Sequence, residues 1–229
     1  MKKLAIVPNK SETIAGFIFL AVQLLVLQPA LVIVNLILPV PMSDTTLNIV
    51  YFVINFLCVA IIFHRYLIRS GKEAFSAPLR CFCNAFLAFI GYWVASIFVS
   101  SLIYGIYPDF SNANDEAIDQ MVQDNFPIMA LGTVLLVPIT EEVLYRGLIF
   151  GKIYNRSRVL AYLVSTAAFA ALHVVGYIGM YEPKLLLLSL LQYLPAGLCL
   201  GWAYARTGSI WTSISIHIAI NLIAMLSMR

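Results

Sequence analysis

Residues 14–38 read IAGFIFLAVQLLVLQPALVIVNLIL, an apolar stretch with no charged side chain. A helix rises about 1.5 Å per residue, so roughly 20 such residues cross the hydrocarbon layer of a bilayer. The stretch comes after Lys2, Lys3 and Lys10 and so resembles a secretory signal. It is too long for one, however, and lacks a small-residue cleavage site. It reads as a retained first membrane span.

The same pattern continues downstream. From Thr13 to Phe63 the only charge is Asp44, and from Val159 to Met228 only Glu182, Lys184 and Arg206 occur. Over the chain 62% of residues are hydrophobic and 11% charged, where a soluble domain carries about a quarter charged. Spans are expected near 14–40, 47–68, 82–106, 126–151, 159–179, 185–205 and 209–227. Lipid offers backbone groups no partners, so the spans must be helical, and long Leu, Ile, Val and Phe runs are unlike barrel strands. The fold class is all-α, a polytopic transmembrane bundle of about seven spans, seven or eight.

Basic residues mark alternate loops. Lys2, Lys3 and Lys10 precede span one; Arg65, Arg69, Lys72 and Arg80 come after span two. Lys152, Arg156 and Arg158 come after span four, and Arg206 after span six. Residues 107–125 carry five acids and no base, and are expected to form an external loop. This distribution makes a multi-pass cell-membrane protein with a cytoplasmic N-terminus. The net charge of +3 is thus a matter of topology, and no nucleic-acid partner is implied. Cys58, Cys81, Cys83 and Cys199 have neither disulfide nor zinc-site spacing, and His64 is read as interfacial. Gly197-x-x-x-Gly201 is expected to be an intrachain packing face.

Chemistry is expected where polar groups occur in the spans. A charge at a span centre costs about 2.5–3.5 kcal/mol, yet span four contains Pro138-Ile-Thr-Glu141-Glu142-Val-Leu-Tyr145-Arg146. Glu142 and Arg146 share a helix face at the spacing of an ion pair, whereas Glu141 points about 100° away and stays available. Pro138 removes a backbone donor just before the glutamates and is expected to kink the span and admit water. His173 lies in span five, with Phe169 on its face. His217 lies in span seven, with Asn221 on its face. A carboxylate and an imidazole can deprotonate a shared water, and an imidazole and an amide can stabilise an oxyanion. Glu141, His173 and His217 could instead hold one divalent metal such as zinc. There is no His-Glu-x-x-His or Gly-x-Ser-x-Gly motif, and no aspartate is expected within a span.

Glu141-Glu142-x-x-x-Arg146, Phe169-x-x-x-His173 and His217-x-x-x-Asn221, in this order, resemble the motifs of the CPBP (Abi) family. This family joins CAAX prenyl endopeptidases with bacteriocin-processing and immunity proteins. Gly201-Trp-Ala-Tyr-Ala-Arg206-Thr-Gly208 also resembles its bacterial members. The resemblance covers about 126–227. It implies a catalytic core at 126–229, preceded by three spans and the acidic loop at 1–125. It implies that Glu141 and His173 activate water, that His217 and Asn221 hold the oxyanion, and that Glu142, Arg146 and Phe169 support them. Members are described both as metalloproteases and as glutamate proteases, so either no cofactor or one divalent metal is implied. The expected activity is intramembrane hydrolysis of a peptide or membrane-protein substrate. The alternatives are a non-catalytic bacteriocin-immunity or scaffold protein, and a proton-coupled transporter. The transporter would place polar residues in repeated halves, and spans one to three hold few.

Overall fold

The computed structural model describes residues 3–229; Lys2, one of the lysines counted for orientation, lies outside them. Among the described residues there are eight helices and no sheet. They are α1 Lys10–Ile37, α2 Asp44–Ile62, α3 His64–Ser76 and α4 Pro78–Ile106, then α5 Ala113–Tyr154, α6 Arg158–Val175, α7 Pro183–Thr207 and α8 Ile210–Ser227. All but α3 are long and apolar enough to cross a membrane. Outward-facing Leu25, Leu36, Ile37, Ile61 and Phe98 are exposed, as lipid contact requires. The chain is an all-α polytopic membrane bundle.

Two segments expected as loops are helices. The first is α3, a short amphipathic helix that carries Arg65, Arg69 and Lys72, charges expected in a loop. Its start is fastened from afar. Asn9 caps α1 by accepting from the Glu12 N–H at 2.9 Å, and Glu12 answers by accepting from the Asn9 N–H at 2.7 Å. The same carboxylate accepts from the Tyr66 N–H at 2.7 Å and from Arg69 at 3.1 Å. Tyr66 N–H is one of the first-turn donors that a helix leaves unpaired.

The second is the acidic stretch, where α5 already begins at Ala113. Asn112 caps it by accepting from the Asn114 and Asp115 N–H groups at 3.0 and 3.4 Å. Asp115 and Glu116 sit in the first turn, where the helix dipole favours acids. Composition hid this helix because its charges suit a helix start as well as they suit a loop. The helix breaks at Asn125 (φ −152°, ψ 84°), two residues before Pro127, and Asn125 accepts from the Ile128 N–H at 3.3 Å as a second, internal cap.

Beyond this break α5 becomes the axis of the molecule. Val143, Leu144, Arg146 and Phe150 are fully buried. Gly197 lets α7 close on α6, since a Cβ there would lie 2.4 Å from Thr166 Cγ2. One turn on, a Cβ at Gly201 would stand 3.4 Å from Phe150 and Tyr162, so the expected intrachain packing face is present. All four cysteines are free.

The ends of the bundle differ in charge. Leu4 bonds to Asn155, Arg69 to the Val7 carbonyl, and Arg80 to Glu73 and the Thr207 carbonyl. These contacts gather the N-terminal segment, α3 and the basic loops at one end.

Candidate active site

The glutamates stand on an unusual stretch of backbone. α5 is π-helical at Gly132–Leu136 and again at Glu142–Phe150, with a short α-helical segment, Val137–Glu141, between them. Pro138 therefore adjoins a widened turn. Such π turns recur at functional sites because the extra residue redirects side chains.

Glu142 and Arg146 form the expected ion pair at 2.8 Å, and both are 0% exposed. Glu142 does more than pair. Its Oε1 also accepts from His217 Nδ1 at 2.9 Å, and its Oε2 accepts a short hydrogen bond from Ser213. Arg146 lies 4.0 Å from the centroid of the Phe169 ring, a desolvated cation–π contact of order 2 kcal/mol. Phe169 also packs against both imidazoles, at centroid distances of 4.7 Å to His173 and 5.8 Å to His217.

Glu141 points elsewhere. Its Oε2 is buried without a hydrogen-bond partner, 4.0 Å from His173 Nε2 and 3.9 Å from His217 Nε2. These distances are too long for direct hydrogen bonds, but one water can bridge them. The opposite ring nitrogens are both engaged, His173 Nδ1 with the Phe169 carbonyl at 2.9 Å and His217 Nδ1 with Glu142. Both partners accept only, so each Nδ1 carries a proton and each Nε2 is left facing Glu141. Asn221 lines the same cavity, with its amide donating to the Thr133 carbonyl at 2.9 Å. The three helices thus bring together Glu141, His173 and His217, with Asn221 on the shared wall.

A single zinc holds its ligands at about 2.1 Å, which places neighbouring tetrahedral ligand atoms roughly 3.4 Å apart. The 3.9 and 4.0 Å separations are wider. Among the described residues no three His, Cys, Asp or Glu side chains form a metal-holding group. Glu141, His173 and His217 in this arrangement do not fit a metal.

Several contributors were not legible beforehand. Tyr193 of α7 stacks on His173 with centroids 4.1 Å apart and planes 24° apart. Its hydroxyl is held at the start of α5 by Asn112, Asn114 and Asp115, at 3.3, 3.1 and 3.2 Å. Beside it, burial pushes the Tyr177 hydroxyl up, so it remains a neutral donor to Asn114. Asp115, in the first turn of α5 and ahead of the break at Asn125, reaches the cavity wall. The cavity is about 690 Å³ and includes Asn112, Asp115, Tyr177, Met180 and Met228 in its lining. It therefore opens toward the end opposite the basic loops.

Residues 123–223, somewhat under half of the chain, match the family model described as type II CAAX prenyl endopeptidase Rce1-like. Among curated proteins, "Putative membrane peptidase YdiL" of Bacillus subtilis (strain 168) is 31% identical over 109 residues, covering 47% of this chain and 40% of that protein. "UPF0177 protein YxdF" of Lactococcus lactis subsp. lactis is 33% identical over 88 residues, covering 38% and 43%. "UPF0177 protein YvdC" of the same organism is 27% identical over 187 residues, covering 79% and 66%. The chain spans less than two thirds of the length of each of these relatives. No solved structure matches it. The resemblance read from the three motifs is borne out over the segment that contains them all.

Proposed function

We propose that this chain, Rce1-like over residues 123–223, is an intramembrane endopeptidase acting on a peptide or membrane-associated protein. The observation that carries the reading is the unpaired Glu141 Oε2, buried between two imidazole nitrogens at 3.9 and 4.0 Å. A carboxylate buried without a donor is costly unless something else occupies the space. A water there donates one hydrogen to Glu141 and the other to His173 Nε2, leaving an oxygen lone pair free to attack.

Glu141 takes the proton as the water oxygen bonds to the scissile carbonyl carbon. The carbonyl oxygen becomes an oxyanion, stabilised by the Asn221 amide and His217 Nε2. Because His217 Nδ1–H is committed to Glu142, donation from Nε2 to the oxyanion uses the doubly protonated ring. Collapse of the intermediate breaks the C–N bond, and Glu141 returns its proton to the leaving amine. Glu142, Arg146 and Phe169 hold the two rings in place. If the basic end lies in the cytoplasm, the cavity opens outward, and the substrate enters from the outer surface.

The test compares membrane and secreted peptides from cells carrying wild type or Glu141→Gln. Peptides that depend on wild type and vanish with a folded, inserted Glu141→Gln protein support the reading. A phenotype retained in that variant would instead indicate a non-catalytic immunity or scaffold role.

A further inference from the structure

The wall of the cavity contributed by α1 and α2 carries polar atoms that the hydrolytic mechanism does not use. Gln23 is 4% exposed and Asn55 2% exposed, and both line the cavity that contains Glu141. Gln23 Oε1 and Asn55 Oδ1 are buried with no hydrogen-bond partner. The orientation of Asn55 is set by its Nδ2, which donates to the Tyr51 carbonyl at 2.8 Å, so its oxygen must point away from that carbonyl. Gln23 Nε2 reaches the Tyr51 hydroxyl at 3.4 Å, which ties the two amides to one tyrosine. Gln23 begins a π-helical turn, Gln23–Leu27, that widens α1 at this level.

Two buried amide oxygens without donors, on two helices that line one cavity, leave two acceptors free. Burying such oxygens unpaired is unfavourable, and native proteins seldom leave them so unless a ligand or water completes them. The charge of the cavity agrees with a donor as the ligand. Its lining contains the carboxylates of Asp115 and Glu141 and no lysine or arginine.

Resting on the endopeptidase reading, we propose that Gln23, Tyr51 and Asn55 form a substrate subsite that receives an N–H donor of the bound peptide. The N-terminal spans, outside the Rce1-like segment, thereby select the substrate, while α5, α6 and α8 cut it. The donor is either a main-chain amide of an extended segment or the side chain of a lysine, arginine or asparagine. Acidic side chains are disfavoured at this position.

Full-length Glu141→Gln protein in lipid nanodiscs is exposed to a randomised peptide library, and retained peptides are identified by mass spectrometry. The same is done with Asn55→Leu and with Gln23→Leu added to that background. Each added change is expected to weaken retention about tenfold, the usual scale for losing one buried hydrogen bond. Asn55→Asp, which keeps an acceptor, is expected to retain lysine-containing peptides at least as well. Resynthesis of a retained peptide with single N-methylated main-chain amides, or with norleucine for lysine, identifies the donor. Unchanged retention in both leucine variants with unaltered thermal unfolding, or no retained peptide at all, overturns the subsite. Cleavage by wild type is scored separately. Retention through Asn55 without any cleavage keeps the subsite and sinks the peptidase, and cleavage with a KM indifferent to Asn55→Leu does the reverse.

Discussion

The side-chain amide of Asn221 donates to the main-chain carbonyl of Thr133 at 2.9 Å, and that carbonyl is one that α5 cannot satisfy itself. In the π register of this turn, Val137 N–H reaches the Gly132 carbonyl, five residues back. The next donor in register would be residue 138, which is proline and has none. Asn221 supplies the missing hydrogen bond from α8. Asn221→Ala should lower stability by about 1–3 kcal/mol, the cost of a buried unpaired carbonyl. Pro138→Ala restores a donor, so the double variant should recover most of the lost stability in thermal unfolding. If the amide also serves the oxyanion, kcat in the double variant should stay about a hundredfold down.

The adjacent glutamates should respond in opposite ways. Glu142 joins Arg146, His217 and Ser213 inside the bundle, so Glu142→Ala leaves Arg146 buried and uncompensated. A loss of about 3–5 kcal/mol is expected, measured by unfolding in detergent. Glu141 has no such partner at Oε2. Glu141→Gln should change stability by under about 1 kcal/mol while reducing cleavage by roughly 10²–10⁴-fold or more. Equal destabilisation by both would remove the division of labour between them.

Tyr193 separates stacking from hydroxyl anchoring. Tyr193→Phe keeps the ring 4.1 Å from His173 and loses the ties to Asn112, Asn114 and Asp115; Tyr193→Leu loses both. Aromatic stacking is worth about 0.5–1.5 kcal/mol. kcat should fall about tenfold in Tyr193→Leu and by much less in Tyr193→Phe, with KM steady. A shifted pH–rate profile in Tyr193→Leu would show that the ring acts through His173.

Topology can be tested at two positions. In a background free of the four native cysteines, Met180→Cys, at the exposed tip between α6 and α7, should react with a membrane-impermeant thiol reagent added to intact cells. Lys152→Cys, near the end of α5, should react only after permeabilisation. The opposite pattern would put the cavity mouth in the cytoplasm.

Local signals were legible in the sequence, and contacts between distant segments were not. Seven long apolar runs declare their helices because bilayer thickness sets their length, and Glu142–Arg146 is local, four residues apart. α3 carries no such signal because its thirteen residues mix Arg65, Arg69 and Lys72 with Ile68 and Phe75. The start of α5 is masked because Asp115 and Glu116 suit a loop as well as the first turn that Asn112 caps. The bonds from Glu142 to His217 and Ser213, and the stack of Tyr193 on His173, join different helices. Only packing reveals such pairs, since neither partner has a local pattern that points to the other.

The π-helical stretch Glu142–Phe150 makes chain length itself a component of the site. A widened turn holds one residue more than an ordinary one, so deleting a single position there would tighten the coil and swing everything upstream by about 100° relative to the remainder of the helix. Glu141 would then turn away from the two imidazoles although every side chain of the three motifs remained. Homologous chains that keep the motifs but differ by one residue across this stretch would therefore differ in chemistry, however closely their letters agree.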